Sequence, residues 1–229
     1  MAEARRRAAD LSGPTWFVAR MQTAAHGRRG RAWVNPAGNF AGTLVLRPSE
    51  PPDVVALRSF VAALALHDAF VNLTGRSSGF ALKWPNDVLL NGAKLAGILL
   101  ESHGQGGRTD MLAIGIGVNL VEAPATSGLE EGAVAPTSLS EAGVFLSPEE
   151  FLPNLATAYA LWESRFATFG FAPIREAWLA RAARLGEVIT ARTGRDSHSG
   201  SFETVDEQGN LVLKTAQGRR AIPAADIYF

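Results

Sequence analysis

Two segments of this 229-residue chain place cationic side chains where they could bind phosphates or carboxylates. In the first, residues 22–33, arginines alternate with glycines, which let a backbone approach a ligand closely. The arginines provide planar hydrogen-bond donors, and Trp33 provides a ring face for a base. This composition suits a nucleotide-binding loop, although an isolated run of Arg and Gly is more often a solvated basic turn.

The second segment is Lys83-Trp84-Pro85-Asn86-Asp87, at the end of an apolar run that reads as a strand. A lysine at such a position has its aliphatic stem packed and its ammonium group projecting from the sheet. At about 4 Å from an anion in a partly screened site, that charge contributes on the order of 4 kcal/mol. The alternative is a lysine that reaches solvent and is followed by an ordinary turn.

Glycines also interrupt two predicted strands. Gly97 lies in Lys-Leu-Ala-Gly-Ile-Leu, residues 94–99, and Gly115 and Gly117 lie in Gly-Ile-Gly-Val-Asn, which ends at Asn119. A glycine inside a strand loses packing and conformational entropy, so we expect something to lie against the backbone there. A β-bulge explains any one of these glycines equally well. The sequence contains neither a Walker A motif nor a dinucleotide-binding fingerprint.

Composition limits the functions open to the chain. The absence of cysteine excludes disulfides, Cys-ligated zinc and thiol nucleophiles. Lys+Arg and Asp+Glu are both 22, so no net field favours binding to DNA or to a membrane surface. No apolar run reaches the roughly 20 residues that span a bilayer, and the start lacks the apolar core of a secretion signal. We therefore expect a cytoplasmic protein.

The elements that would position these segments predict an α+β fold, with a mixed or antiparallel sheet and packed helices. Asn91-Gly92 predicts a type I′ hairpin between strands over residues 87–90 and 94–101. An apolar helix over residues 54–73 should be buried. Further strands are predicted over residues 16–21, 42–46, 80–84 and 111–120, loops over residues 23–40 and 122–137, and helices over residues 151–168 and 171–185.

After residue 185 the apolar pattern changes to period two. Four short strands separated by polar turns predict a small β-barrel. We therefore divide the chain into a larger domain over residues 1–185 and a C-terminal domain over residues 186–229. The predicted C-terminal strands cover residues 187–193, 200–205, 211–215 and 219–223.

The four motifs, in this order, resemble those of the biotin protein ligases. They are the Arg/Gly loop that ends in Trp33, Lys-Trp-Pro-Asn-Asp, Lys-Leu-Ala-Gly-Ile-Leu and Gly-Ile-Gly-Val-Asn, and the resemblance covers essentially the whole chain. It implies the family's class II synthetase-like catalytic fold and an SH3-like C-terminal barrel. It also implies that the chain activates biotin with ATP as biotinyl-adenylate and transfers the biotinyl group to a lysine of an acceptor protein.

The resemblance implies a role for each matching residue. Arg28 and Lys83 would be catalytic, because they would contact the biotin carboxylate and the α-phosphate. Trp33 would cover the adenine. The other biotin-binding residues would be Gln22, His26, Gly27 and Gly97, and the other nucleotide-binding residues would be Arg31, Asn86, Lys94, Gly117 and Asn119.

The implied chemistry needs ATP, biotin as substrate, and Mg²⁺, for which Asp87 is a candidate ligand. Attack of a carboxylate on a phosphate brings negative charges together, so the site needs fixed cations and amide donors more than a nucleophile. The implied acceptor is the biotin carboxyl carrier domain of a biotin-dependent carboxylase. DNA and membrane partners are not expected, and a homodimer is left open.

Two alternatives remain at this point. A lipoate-adenylate ligase of the same superfamily needs the same charges, whereas octanoyl transferases that use a cysteine are disfavoured. A catalytically impaired biotin-binding homologue is the other, because the loop departs from the family pattern. The family's Ser-Thr-Asn-like segment, counted back from Gln22, falls at Met1, so we expect an N-terminal strand and its Ser-Thr to lie upstream of this chain.

Where the family usually has Gly-Arg-Gly-Arg, this chain has Ala25-His26-Gly27-Arg28. Histidine is shorter than arginine and mostly neutral at pH 7, so we expect His26 to weaken retention of the adenylate. Replacing His26 with Arg should therefore slow the dissociation of biotinyl-adenylate, measured as release of the radiolabelled intermediate. An unchanged dissociation rate would show that His26 has no such effect.

Overall fold

The computed structural model describes residues 1–31, 33–126, 132–194 and 196–229. Residues 1–119 contain a six-stranded sheet in the order β1-β2-β6-β5-β4-β3, in which every neighbouring pair is antiparallel. Of the two predicted sheet types, the antiparallel one is therefore correct. The strands are β1 (Thr15–Val18), β2 (Phe40–Leu46), β3 (Phe80–Lys83), β4 (Asp87–Leu90), β5 (Ala93–His103) and β6 (Met111–Val118).

The hairpin between β4 and β5 forms as predicted. Asn91 and Gly92 have φ values of 50° and 82°, the positive angles that a type I′ turn requires. Strand β5 then continues to His103 and pairs with β6 along eight residues. This long pairing brings the glycines of β5 and β6 side by side, because Gly97 is the register partner of Gly117.

Five helices accompany the sheets in the described residues: α1 (Ala2–Arg7), α2 (Pro52–Ala56), α3 (Arg58–Thr74), α4 (Pro148–Phe169) and α5 (Phe171–Leu179). The predicted buried helix is divided at Leu57 into α2 and α3. Helix α3 packs against α4 and α5, and its apolar side chains join the main core. The predicted helix over residues 171–185 is too long, because α5 ends at Leu179.

Strand β2 is buried over its whole length, because both faces of the sheet are covered there. On one face the helices contribute the main core, in which the Phe40 ring packs against the Phe151 ring. On the other face α1 contributes Ala4 to a smaller apolar cluster with Val45 and Met111.

The expectation that no apolar run is long enough to span a bilayer was wrong, because one stretch of the described residues, Pro52–Thr74, is long and apolar enough by length and composition. Its burial points to a different reason for that composition, since 72% of its most apolar window lies inside the protein. A core helix surrounded by other elements is apolar on all sides. The apolar character of α3 therefore follows from its place between the sheet and α4.

The C-terminal strands form a second antiparallel sheet, in the order β10-β9-β8-β7-β11. It has five strands rather than the four predicted, because residues 226–228 also pair with β7. No pairing joins β10 to β11 within the described residues, so this sheet is open at the place where a closed barrel would join. The strands are β7 (Val188–Arg192), β8 (Ser197–Val205), β9 (Leu211–Thr215), β10 (Gly218–Ile222) and β11 (Asp226–Tyr228).

The two sheets share contacts close to the predicted Lys-Trp-Pro-Asn-Asp site. Trp84 Nε1 donates a hydrogen bond to the Gly209 carbonyl oxygen, 3.0 Å away, in the turn between β8 and β9. The Trp178 ring of α5 packs against the Phe202 ring of β8, with 6.5 Å between centroids. Burial of these aromatic side chains fixes the C-terminal sheet beside the end of β3.

Helix α4 begins earlier than the predicted residue 151, because Ser147 caps it. The Glu150 backbone N–H donates to Ser147 Oγ at 3.2 Å, and the Ser147 N–H donates to the Glu150 carboxylate at 2.9 Å. This is a capping box, and Pro148 at the first helical position supports it.

Replacing Ser147 with Ala removes the hydroxyl that accepts from the helix end. We expect the free energy of unfolding to fall by about 1 kcal/mol, measured by urea denaturation. The matched control is Ser78→Ala, at an exposed loop serine before β3, which should change it by less than about 0.5 kcal/mol. An equal effect of the two substitutions would contradict the capping role.

Candidate active site

A cavity of about 450 Å³ lies where β5 and β6, the Arg/Gly loop and β11 meet. Its size is typical of sites that enclose a small organic ligand. Arg28 and Lys83 both line it, so the two predicted catalytic cations share one cavity. The other predicted site residues in the lining are Gln22, His26, Gly27, Arg31, Trp33, Asn86, Asp87, Lys94, Gly97 and Gly117.

Lys83 and Lys94 both approach one carboxylate, that of Asp87. The Lys94 Nζ lies 2.7 Å from Asp87 Oδ1, and the Lys83 Nζ lies 3.6 Å from Oδ2. Lys83 and Asp87 are register partners where β3 turns into β4, and each is less than one-tenth exposed. Asp87 thereby fixes the direction of both ammonium groups from the floor of the cavity.

Burial disfavours the charged form of both Lys83 and Asp87, so its effects on their pKa values have opposite signs. It lowers the pKa of Lys83 below its ordinary value, and the Asp87 carboxylate only partly offsets this effect. Burial also opposes ionisation of Asp87, but Lys94 and Lys83 together outweigh it and hold the Asp87 pKa below its usual range. Asp87 is therefore a carboxylate at neutral pH.

The arginines of the loop are held by the start of the C-terminal strand β11 and the residue before it. Arg28 donates to the Ala225 carbonyl oxygen at 3.3 Å. Arg29 and Arg31 approach the same atom, Asp226 Oδ2, at 2.8 and 2.5 Å. Burial lowers the pKa of Arg28, and the Asp226 carboxylate opposes that shift.

Trp33 explains why two strands carry glycine. A Cβ atom at Gly117 would lie 2.5 Å from the Trp33 ring, and one at Gly97 would lie 3.1 Å from it. A Cβ atom at Gly117 would clash with the indole and one at Gly97 would crowd it, so the two glycines leave room for the ring against the sheet. The Lys94 Nζ lies 5.6 Å from the centroid of the same ring, within range of a cation–π interaction.

Two predicted nucleotide-binding asparagines are used in other ways. Asn86 lines the cavity, but its Nδ2 donates to the Ile98 carbonyl oxygen at 2.6 Å and thereby fixes the turn to β5. Asn119 is 1% exposed and is not among the residues that line the cavity. Its Nδ2 donates to the Thr137 carbonyl oxygen at 3.0 Å, so its amide holds the backbone of Thr137 in the loop before α4.

His26 is partly exposed at the rim of the cavity. Its Nε2 lies 3.2 Å from the Glu101 carboxylate, which Arg5 of α1 also contacts at 2.6 Å. Ala25 is not among the described residues with a positive φ, so the alanine in place of the family's glycine fits its backbone.

No sequence motif predicted the contribution of the C-terminal strand to the cavity. Asp226, Ile227 and Tyr228 line the cavity, as do Thr43 of β2 and Val134 of the loop before α4. No local signal marks Asp226 as a site residue, because its role depends on contacts with arginines 197 residues earlier in the chain. A single acidic residue in a short apolar strand has no motif of its own.

The described lining contains more fixed positive charge than negative. Arg28, Arg31, Lys83 and Lys94 face only two carboxylates, Asp87 and Asp226. Asp87 contacts Lys83 and Lys94, and Asp226 contacts Arg31 as well as Arg29 outside the lining, so a surplus of positive charge is left. In a partly desolvated cavity such a surplus favours binding of an anion, or of two anions that must approach each other.

Asp87 does not fit the role of a magnesium ligand well in this arrangement. Both of its oxygens face ammonium groups, which compete directly with a metal ion for the same lone pairs. Within the described residues there is also no group of three or more His, Asp or Glu side chains that could hold a metal.

Comparison with protein families identifies both parts of the chain. Residues 1–119 match the biotin/lipoate A/B protein ligase family. Residues 185–229 match the biotin protein ligase C-terminal domain.

Individual relatives agree with these matches. A biotin–[acetyl-CoA-carboxylase] ligase of Paracoccus denitrificans is 56% identical over 229 residues, which is all of this chain and 95% of the relative. The bifunctional ligase/repressor of Bacillus subtilis is 33% identical over 93% of this chain but only 65% of its own length. The biotin protein ligase from Aquifex aeolicus in complex with biotin and ATP superimposes with a TM-score of 0.79 at 26% identity, covering 95% of this chain and 89% of that one.

The lysine–aspartate arrangement predicts how Lys83 titrates. Because Asp87 raises the pKa of Lys83 against the effect of burial, Asp87→Asn should lower that pKa further. The measurement is the ¹³Cε chemical shift of Lys83 against pH, in a chain that contains only three lysines. The control is Asp53→Asn, at an exposed helix start, which should leave the titration unchanged. An unchanged or higher Lys83 pKa in Asp87→Asn would contradict the arrangement.

Proposed function

The chain belongs to the biotin/lipoate A/B protein ligase family, and on that premise we propose that it is a biotin protein ligase that forms biotinyl-5′-AMP from biotin and ATP. The observation that carries the proposal is the convergence of Arg28 and Lys83 on one cavity. In the second step the neutral amine of a lysine of a biotin carboxyl carrier domain attacks the biotinyl carbonyl carbon, so that an amide bond forms, the bond to the phosphate oxygen breaks and AMP leaves. This acceptor is the one that the name of the Paracoccus relative implies.

In the first step a carboxylate oxygen of biotin attacks the α-phosphorus of ATP. A new P–O bond forms, the bond between the α-phosphorus and the bridging oxygen breaks, and pyrophosphate leaves. Arg28 and Lys83 offset the repulsion between carboxylate and phosphate, and their fixed positions avoid reorganisation during the reaction. The chain needs no nucleophile of its own, which agrees with its lack of cysteine.

The remaining contacts follow from the match of each residue to the family's motifs, and these residues line the cavity except for Asn119. We propose that Gln22, His26, Gly27 and Gly97 contact biotin, and that Arg31, Trp33, Lys94 and Gly117 contact the adenylate. Asn86 and Asn119 would act through the backbone segments that they hold. We place the domain division at residue 185, and β11 of the smaller domain then completes the wall of the cavity.

Magnesium enters the proposal only as a companion of the ATP phosphates. Its ligands would be mainly phosphate oxygens and water, as is common for Mg²⁺ at nucleotide sites. Both Asp87 oxygens contact the ammonium groups of Lys83 and Lys94, so Asp87 is not proposed as a metal ligand. The expected cytoplasmic location likewise remains a proposal, consistent with the burial of α3.

The test combines the chain with ATP, magnesium, biotin and a purified carrier domain, and measures the mass of the acceptor. We expect the acceptor to gain one biotinyl group. In the half-reaction, followed by biotin-dependent exchange of pyrophosphate into ATP, Arg28→Ala and Lys83→Ala should each lower the rate by about 10²–10³. The control is Lys214→Ala, at an exposed lysine of β9, which should retain the full rate.

The same exchange assay separates biotin from lipoate, because both acids need cations in the same place. Exchange that depends on lipoate and not on biotin would replace the proposal with a lipoate-adenylate ligase. Binding of biotin without any exchange would instead indicate a catalytically impaired homologue. The 56% identity to the Paracoccus biotin ligase over the whole length of this chain favours biotin.

A further inference from the structure

Asp226 occupies an unusual place for an acidic residue near a site that binds anions. It lies on β11, and its carboxylate is only 19% exposed at the wall of the cavity. A carboxylate there weakens the positive field that the substrate would experience. Its position therefore requires an explanation other than direct binding of the substrate.

The contacts of Asp226 and its neighbour with the loop arginines explain its position. Oδ2 contacts Arg29 and Arg31 together, and the preceding residue, Ala225, accepts from Arg28 through its carbonyl oxygen. Asp226, the first residue of β11, and Ala225 just before it thus hold three arginines of a single loop. The backbone of this loop needs such support, because Arg29 has a φ of 57°, in the left-handed region that arginine rarely adopts.

These contacts link the C-terminal sheet to the loop of the larger sheet. Strand β11 pairs with β7 in the C-terminal sheet, whereas the loop follows β1 of the larger sheet. Asp226 remains ionised there: burial alone would raise its pKa, but Arg31, Arg29 and Arg28 lower it below the usual range. The charged contacts of Asp226 with Arg29 and Arg31 therefore join the two sheets beside the cavity.

We propose that Asp226 is a positioning residue for adenylation, which holds the loop of residues 22–31 against the cavity so that Arg28 faces the reacting anions. This proposal rests on the proposed function. It makes the C-terminal sheet part of the catalytic machinery through one side chain that contacts neither the reacting carboxylate nor the phosphate.

The test uses Asp226→Asn, which keeps the shape of the side chain and removes its charge. We expect dissociation of biotinyl-adenylate to become faster by about tenfold, as for the loss of one charge-assisted hydrogen bond. We also expect limited trypsin digestion to cut faster after the loop arginines, as identified by mass spectrometry. The midpoint of thermal unfolding should stay within about 2 °C of the parent protein, because the arginine side of the contact is largely exposed, 42% for Arg29 and 55% for Arg31.

Glu203→Gln is the matched control. Glu203 also accepts from an arginine, Arg219, and it also lies in the C-terminal sheet, but it is not among the residues that line the cavity. It should change neither the dissociation rate nor the cleavage of the loop. Asp226→Glu, which keeps the charge, should retain more of the adenylate than Asp226→Asn.

A merely electrostatic role predicts the opposite sign. If Asp226 only weakened the field of the cavity, Asp226→Asn would bind the adenylate more tightly and release it more slowly, which would overturn the proposal. An unchanged dissociation rate would overturn it as well. If Asp226→Asn does not fold, Arg29→Gln removes the other side of the contact, and it should give the same faster cleavage and release.

Failure of the proposed function gives a different result. In that case the unsubstituted chain would form no biotinyl-adenylate, while trypsin cleavage, which needs no substrate, would still report whether Asp226 holds the loop. Equal cleavage of the parent protein and Asp226→Asn would reject the positioning role whatever the substrate is.

Discussion

Mutual repulsion among cations is the constraint on which this cavity depends. Two like charges about 4 Å apart repel by about 4 kcal/mol at an intermediate dielectric, so four cations cannot share a small cavity without counter-charges. Asp87 meets this need for Lys83 and Lys94, and Asp226 meets it for Arg31 and also contacts Arg29 beside the cavity. Because each carboxylate serves more than one cation, the cavity keeps the positive surplus that joining a carboxylate to a phosphate requires.

The antiparallel sheet is what makes the first of these arrangements possible. A tight turn after β3 returns the chain as β4, so Lys83 and Asp87 face each other as register partners. The next hairpin brings Lys94 back to the same carboxylate, and the pairing of β5 with β6 aligns Gly97 with Gly117 beneath Trp33. The second arrangement depends instead on β11, which comes from the other end of the chain.

Sequence patterns predicted the parts of the site whose causes are local. The Asn91-Gly92 turn, the strand-end lysine and the strand glycines each follow from rules that act over a few residues. The turn forms with the predicted positive φ angles, and Lys83, Gly97 and Gly117 line the cavity. The role of Asp226 could not be predicted, because it arises from contacts across 197 positions. The end of α5 at Leu179 and the withdrawn position of Asn119 are likewise set by packing that no local pattern records.

A crystal structure of the chain with a non-hydrolysable biotinyl-adenylate analogue would show directly whether the cations converge on the reacting groups. We expect the Arg28 guanidinium and the Lys83 ammonium group both to lie within hydrogen-bond distance of the linkage that joins the biotinyl and phosphoryl groups. We also expect Asp87 and Asp226 still to contact their cations in that complex. An analogue bound elsewhere, or a linkage that neither Arg28 nor Lys83 approaches, would show that the two cations do not act together.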